Sequence, residues 1–178
     1  MTIVEVVVSS LILTTIVLVV SSTVLDSQAF FAEEARLYSL DQSGRALLAR
    51  VEQEIRASAA SSILPLAISD SSFLDYQKAA GVNADGTIAL GPLLRFSFEL
   101  VPGEIADSVD NNGDGLIDEG TISWRDESGT ARAIAANALG MRVNRAGSAL
   151  HVDIDLAARQ SDGRLVQRTY GQTVAPRN

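Results

Sequence analysis

The chain has 178 residues, enough for one ordinary domain with an appendage. It has 14 Lys and Arg against 22 Asp and Glu, and the resulting formal net charge of -8 argues against a nucleic-acid partner. Because the chain has no cysteine, it has neither a disulfide framework nor a thiolate metal site. Any stabilising cross-link within the chain must therefore be formed by other groups.

The N-terminal segment is apolar from Val6 to Leu25, with no charged residue, proline or glycine. At about 1.5 Å per residue, this stretch predicts a helix of roughly 30 Å, which is the thickness of the hydrocarbon core of a bilayer. A cleaved signal peptide is disfavoured because it begins with Lys or Arg, whereas the first charged residue here is Glu5. A carboxylate in an apolar membrane segment is costly unless it is paired, so Glu5 calls for a cation.

The first residues, Met1-Thr2-Ile3-Val4-Glu5-Val6-Val7-Val8, resemble the processed start of type IV pilins and type II secretion pseudopilins. In that family a prepilin peptidase cuts after a glycine, the new first residue is N-methylated, and the glutamate pairs with the terminal amine of a neighbouring subunit. The resemblance therefore implies that Met1 is the processed residue and that Glu5 acts in assembly. The chain has Met1, Thr14 and Ser22 where the family often has Phe, Gly and Pro. This leaves open whether the helix melts near residues 14–22, as it does in many pili.

After the apolar segment 1–25, the pattern predicts that residues 26–60 form the amphipathic half of the same helix, which lies against the head. Its apolar positions recur at steps of three and four: Leu37, Leu40, Gly44, Leu48, Val51 and Ile55. The pairs Arg50–Glu54 and Glu52–Arg56 are four residues apart on the other faces, where they are expected to confer solubility. Gly44 is expected to allow close packing.

The head is expected to occupy residues 61–178, after a helix stop before Pro65. Ser69–Gly91 is predicted to be an irregular loop with one helical turn near residues 73–76. Alternation predicts strands at Leu94–Leu100, Ile122–Arg125, Met141–Asn144, Leu150–Leu156 and about Leu165–Val174, with turns at Asp126–Gly129, Arg145–Ser148 and Ser161–Gly163. This order predicts an α+β fold, a long N-terminal helix packed on an antiparallel sheet, which is also the layout of the pilin family.

The acidic loop at residues 107–120 contains the one motif with its own chemistry. Oxygen-bearing side chains at alternating positions, with Gly115 at the sharp bend, are typical of a Ca²⁺ loop. The predicted ligands are Asp110, Asn112, Asp114, the carbonyl of Leu116, Asp118 and Glu119, and Asp107 is a further candidate. The motif resembles the first nine positions of an EF-hand loop, but it has Thr121 where that loop has its bidentate glutamate.

The alternative for the acidic loop is a solvent-exposed Asx turn, in which Asn, Asp and Gly only favour tight bends. A structural calcium ion is favoured because nine acids between Glu99 and Glu127 face a single base, Arg125, and such crowding is repulsive without a cation.

The sequence contains no convincing catalytic arrangement, so we predict that the protein is not an enzyme. His151 is the only histidine, and its polar position in an alternating strand indicates a surface residue. Trp124 is expected to be a core residue. No Gly-rich phosphate loop follows a strand, so the Asx-Gly runs at Asn83–Gly86 and Asp110–Gly115 are interpreted as turns or cation sites.

Together these features favour a structural minor pilin of the pilus tip or priming complex. The head resembles PilW-type minor pilins and J-type pseudopilins in its length, missing cysteines, acidic loop and terminal strand, which ends in Pro176-Arg177-Asn178. The resemblance implies a single inner-membrane span before assembly, and an extracellular or periplasmic filament after it. The implied partners are other pilins, a tip adhesin and the prepilin peptidase. Two alternatives remain: a type II secretion pseudopilin, and a membrane-anchored calcium-dependent binding module that does not polymerise.

Overall fold

The computed structural model describes residues 2–63, 70–160 and 163–176, so Met1, Pro65, part of the turn predicted at Ser161–Gly163 and the last two residues lie outside it. The elements are helix α1 (Ile3–Arg56), a 3₁₀ turn (Ala60–Ser62) and strands β1 (Phe73–Val82), β2 (Ile88–Leu100), β3 (Gly120–Arg125), β4 (Ala131–Ala146), β5 (Ala149–Arg159) and β6 (Leu165–Val174). The predicted α+β, pilin-like layout is confirmed.

The chain divides into two compact units, Met1–Tyr38 and Ser39–Asn178. The described part of the first unit is helical from Ile3 onward. The large apolar side chains from Ile3 to Leu25 are 48% to 85% exposed. This part of the helix is long and apolar enough to cross a membrane.

The helix is continuous through residues 14–22, with no melted stretch there. Its hydroxyl groups bond back to carbonyl oxygens one turn earlier: Thr14 Oγ1 to Ser10 at 2.8 Å, Thr15 Oγ1 to Leu11 at 2.9 Å and Ser22 Oγ to Val19 at 2.9 Å. Because these three hydroxyl groups find their acceptors inside the helix, they need no water, which suits an apolar environment.

The sheet is an antiparallel meander in the order β1-β2-β3-β4-β5-β6, in which each strand pairs with its neighbour in sequence. One face packs on the second half of α1, and the buried apolar residues form a single cluster: Leu40, Leu47, Leu48, Val51 and Ile55 from the helix, with Leu74, Tyr76, Leu94, Phe96, Ile122, Met141, Val143, Leu150, Val152, Ile154, Leu156 and Val174 from the strands. Burial of these side chains is the main term that stabilises the head.

Close packing at Gly44 is confirmed, because the ring of Tyr170 lies directly against it. A methyl group at Gly44 would lie 2.7 Å from Cζ of that ring. The pair Glu52–Arg56 also forms, at 2.7 Å. The predicted pair Arg50–Glu54 forms as well, at 3.2 Å, but the expectation that it confers solubility on another face was wrong, because the Glu54 carboxylate is buried and only 4% exposed.

Three polar partners from the sheet and the helix explain why Glu54 is buried. Its Oε2 accepts a hydrogen bond from the Tyr76 hydroxyl at 2.9 Å and pairs with Lys78 Nζ at 2.8 Å. Its Oε1 pairs with Arg50 Nη2 at 3.2 Å. A buried carboxylate is tolerated when it is paired and hydrogen-bonded in this way.

The irregular loop predicted for Ser69–Gly91 was wrong from Phe73 onward, where β1 and the start of β2 form a hairpin, with no helical turn at residues 73–76. The alternation of β1 is hidden because Leu74, Asp75 and Tyr76 are all buried. Asp75 is buried because Arg95 of β2 binds both of its oxygens, at 2.6 and 2.7 Å.

The remaining strands are where the alternation predicts them, but two of them begin well before the predicted residue. The strand β2 begins at Ile88, before the predicted Leu94, and Pro92 lies where the β1–β2 register shifts, a position where a strand tolerates proline. The strand β4 begins at Ala131, and its first half is rich in alanine, which is a poor strand signal.

Candidate functional site

The first candidate site is the N-terminal tip of α1, where Glu5 lies in the first helical turn. Glu5 Oε2 accepts a hydrogen bond from the backbone N–H of Thr2 at 2.7 Å, and the backbone N–H of Glu5 donates to Thr2 Oγ1 at 3.4 Å. This reciprocal pair is a capping box, which satisfies two N–H groups at the start of a helix. The proposed processing site Met1 lies outside the described residues.

The capping box was missed in the sequence, although its signal, Thr2 followed three residues later by Glu5, is present. Glu5 therefore has a role within its own chain, which is to start the helix. Its carboxylate is exposed at the end of an apolar segment. An assay of Glu5 in assembly must separate its charge from its capping hydrogen bond.

The second candidate site is the acidic loop between β2 and β3, in which a tight turn is built on Asp110. The two oxygens of this carboxylate accept hydrogen bonds from the backbone N–H groups of Gly113 and Gly115, at 2.6 and 2.8 Å. Gly115 has a φ of +88°, which a residue with a side chain rarely adopts, as the predicted sharp bend requires. The turn arranges Asp110, Asn112 and Asp114 around one bend.

The next two predicted ligands continue this turn. Asn112 Oδ1 accepts a hydrogen bond from the N–H of Asp114 at 2.9 Å, and Asp114 Oδ1 accepts one from the N–H of Leu116 at 2.8 Å. The Leu116 side chain is buried, only 5% exposed, which anchors this part of the loop to the head.

The buried carboxylate of Glu104, which sequence reasoning missed, holds the two arms of the loop together. Its Oε1 accepts hydrogen bonds from the N–H groups of Asn111 and Asn112, at 3.0 and 2.8 Å. Its Oε2 accepts one from the N–H of Asp118 at 3.2 Å. With three backbone donors, Glu104 is a structural part of the loop.

Two of the predicted metal ligands are used in the other arm of the loop. The Asp118 carboxylate accepts from the backbone N–H groups of Asp107 and Ser108, at 3.0 to 3.2 Å. Asp107 Oδ1 accepts from the N–H of Val109 and from Asn111 Nδ2, both at 3.0 Å. These bonds tie both carboxylates to the backbone of this arm, and Asp107 also to the side chain of Asn111.

Glu119, immediately before β3, is the only one of the predicted carboxylate ligands that is fully buried. Its side chain is 1% exposed, and its Oε1 accepts a hydrogen bond from Asn112 Nδ2 at 2.6 Å. Its Oε2 is buried and has no hydrogen-bond partner. A buried polar atom without a partner is rare in folded proteins and calls for an explanation.

Arg159, from β5, brings a positive charge to the loop that the sequence did not indicate. Its Nη1 donates to the backbone carbonyl of Asp114 at 2.9 Å, and its guanidinium lies directly against Gly115. The acidic segment therefore faces a second base besides Arg125, contrary to the expectation of a single one. Arg159 reduces the repulsion among the carboxylates without bonding to any of their oxygens in this contact.

The metal-ligand geometry of the loop is incomplete. Within residues 2–63, 70–160 and 163–176, no three carboxylate or imidazole groups are arranged as a metal site. A cation at the turn would therefore need mixed donors, with the amide oxygen of Asn112 and the carbonyl of Leu116 beside the carboxylates of Asp110 and Asp114. A third carboxylate, such as that of Glu119, would have to move toward the ion.

His151 lies exposed on β5, as predicted. Its Nδ1 lies 2.9 Å from Thr173 Oγ1, and its Nε2 lies 3.1 Å from Asp153 Oδ1. The three side chains lie on the solvent-facing side of β5 and β6, and two of them are cross-strand neighbours. Trp124 is partly buried, packs against the core, and donates its Nε1–H to the hydroxyl of Tyr76.

Comparison of the chain with protein-family models, curated proteins and solved structures gives no match.

Proposed function

We propose that this chain is a structural subunit of a type IV pilus-like filament, a minor pilin that is held in the inner membrane by its N-terminal helix before assembly. The observation that carries the proposal is the apolar surface of Ile3–Leu25. Its large side chains are 48% to 85% exposed within the chain, and a single carboxylate, Glu5, lies at its tip.

Such a surface requires an apolar environment outside its own chain. Full burial of one Val, Leu or Ile side chain is worth about 1.5–3 kcal/mol, so a helix of this kind is not left in water. A bilayer and a bundle of equivalent helices both satisfy the requirement. The membrane then acts as a store of subunits, and assembly moves the helix from lipid into the filament core. The internal hydroxyl bonds of Thr14, Thr15 and Ser22 suit both surroundings.

The role of Glu5 in this mechanism is to pair with the terminal amine of a neighbouring subunit and so to set the register between helices. A carboxylate transferred into an apolar bundle without a cation costs several kcal/mol, which makes incorrectly registered neighbours unfavourable. The prepilin peptidase would generate that amine at Met1. A native N-terminus with methylated Met1, identified by mass spectrometry, is the expected result.

The test of Glu5 uses two substitutions that separate its charge from its capping bond. Glu5→Gln keeps a side-chain oxygen for the N–H of Thr2, because glutamine also serves in a capping box, whereas Glu5→Ala removes both charge and cap. If the charge acts in assembly, both variants should enter sheared filaments at least tenfold less than the wild type. Normal incorporation of Glu5→Gln would show that Glu5 serves only to cap its own helix.

Contact between neighbouring helices can be tested directly because the chain has no cysteine of its own. Single cysteines at Val8 and Leu18, on the exposed apolar helix, are expected to form chain-to-chain disulfides in oxidised filaments. A cysteine at Ser128, in the exposed turn after β3, is the control and should remain monomeric. A chain that stays in the membrane fraction, without cross-links at either helix position, would contradict the filament proposal and indicate an anchored module.

A further inference from the structure

We propose that the acidic loop binds one Ca²⁺ at the turn around Asp110, and that the Glu119 carboxylate moves toward the bound ion and completes its coordination. The ion would then tie the loop to the start of β3. This inference goes beyond the filament function, because it concerns the folding of the head alone. It does not depend on whether the chain polymerises.

The first support is the set of donors that the turn brings together. Asp110, Asn112 and Asp114 alternate around the bend, and each has its backbone contacts already made within the turn. The carbonyl of Leu116 follows at the position where a calcium loop uses the main chain. Because a loop built in this way already holds its oxygen donors in place, it loses little conformational entropy when an ion binds.

The second and independent support is the unpartnered oxygen of Glu119. The carboxylate is 1% exposed, and its Oε1 is held by Asn112, one of the proposed ligands, so the side chain is directed toward the turn. Its Oε2 is buried without any hydrogen-bond donor. A buried carboxylate oxygen in this state is unfavourable unless a cation approaches it.

The donor chemistry favours calcium over other cations. All of the donors are oxygens, from carboxylates, one amide and one carbonyl, and thiolates are absent from the chain. The only histidine, His151, is bonded elsewhere, to Thr173 and Asp153. Mg²⁺ requires a near-ideal octahedron and retains several waters, whereas Ca²⁺ accepts six to eight oxygens in irregular geometry, as a loop with mixed donors provides.

Asp118 and Asp107 are assigned a supporting role, which revises the ligand set predicted from the sequence. Their carboxylates close the other arm of the loop through backbone N–H groups. Glu104 has the same kind of role, with three backbone donors. The proposed ligands are therefore Asp110, Asn112, Asp114, the carbonyl of Leu116 and Glu119.

The experiment uses the full chain in detergent micelles, with calcium added to chelator-treated protein. Calorimetric titration should show one Ca²⁺ per chain, with a Kd on the order of 0.1–1 mM, the range of extracellular calcium modules. At a hundredfold excess over Kd, the Tm of the head should rise by about 5–10 °C. Magnesium at the same concentration should raise it by less than half as much. No binding heat and no change in Tm with calcium would overturn the proposal.

Two isosteric substitutions test the ligand assignment. Asp114→Asn keeps the oxygen that accepts from the N–H of Leu116, so the turn should fold, and its calcium affinity should decrease at least tenfold. Glu119→Gln removes a buried charge, so the Tm without calcium should equal or exceed that of the wild type, while the calcium-dependent rise should be lost. If Glu119 only stabilised the fold, Glu119→Gln should instead lower the Tm without calcium.

The matched control is Asp85→Asn, in the turn between β1 and β2. Asp85 Oδ1 accepts from the N–H of Thr87 at 2.9 Å, so it has the same local geometry as Asp114 without the acidic surroundings. This variant should bind calcium as the wild type does. A calcium-dependent rise in Tm that survives in Glu119→Gln, or that is lost equally in Asp85→Asn, would contradict the proposed site while leaving the filament proposal untouched.

Discussion

Replacing Tyr76 with phenylalanine removes a single hydroxyl from the polar network under α1. Tyr76 is fully buried, and its hydroxyl donates to Glu54 Oε2 and accepts from Trp124 Nε1, both at 2.9 Å. Its ring stacks on Phe96 with 5.8 Å between centroids, a contact that phenylalanine retains. The substitution therefore changes the hydrogen bonds and leaves the packing in place.

The expected loss can be estimated from those two hydrogen bonds. A hydrogen bond to a charged group contributes about 1.5–3 kcal/mol, and the unpaired Trp124 N–H adds about 1 kcal/mol because water reaches its partly buried ring. The carboxylate of Glu54 is not left alone, since it keeps Lys78 and Arg50. We therefore expect the free energy of unfolding of the head to decrease by about 2.5–4 kcal/mol.

Urea denaturation of the full chain in detergent micelles measures this loss. Trp124 is the only tryptophan, so its fluorescence reports on the network itself, and circular dichroism provides a second probe of the same transition. The control is Tyr38→Phe, at a tyrosine that is 72% exposed, which should change the free energy of unfolding by no more than about 0.5 kcal/mol. A loss below about 1 kcal/mol for Tyr76→Phe would refute the reasoning that this hydroxyl stabilises the head.

Three further predictions concern the same head. Burial raises the pKa of the Tyr76 hydroxyl above its usual value, so the folded state favours the protonated form; stability should decrease as the pH rises past about 10, and less steeply in Tyr76→Phe. Equal slopes in alkaline urea titrations would contradict this. Gly44→Ala should lower the free energy of unfolding by about 1–3 kcal/mol, despite its better helix propensity, because the methyl group would overlap the ring of Tyr170. Unchanged or raised stability in urea denaturation would show that the ring moves aside easily. Asp75→Asn should lower the free energy of unfolding by about 1–2 kcal/mol, a modest loss because the Arg95 partner is partly exposed. If the loss comes from the ion pair, 1 M salt should reduce the difference in the free energy of unfolding between variant and wild type.

The fold could be predicted from the sequence where one face of a helix or strand is buried and the opposite face is exposed to solvent. In β5, Leu150, Val152 and Ile154 are buried at alternate positions, as the pattern indicates. In β1 the pattern failed because the ion pair with Arg95 permits Asp75 to be buried beside its apolar neighbours. That pairing depends on the register of two strands, which no local pattern contains.

The candidate sites also have parts that could be predicted from local sequence and parts that could not. The turn at Asp110–Gly115 could be predicted, because its Asn, Asp and Gly residues form hydrogen bonds within a few positions of each other. The contributions of Glu104 and Arg159 could not, since they approach the loop from outside the motif, Arg159 from β5. At the helix tip, the Thr2–Glu5 capping box is predictable from local sequence, because its two residues are three positions apart.

The meander order of the sheet has a consequence for how the head folds. Short turns join every strand to its pairing partner except β2 to β3, which are separated by residues 101–119. Closing this longer loop costs on the order of 1 kcal/mol more in free energy than closing a short turn, because more chain entropy is lost. We therefore expect the β1–β2 hairpin and the β3–β6 array to form as separate nuclei, and their joining across the acidic segment to be the late step that sets the folding rate.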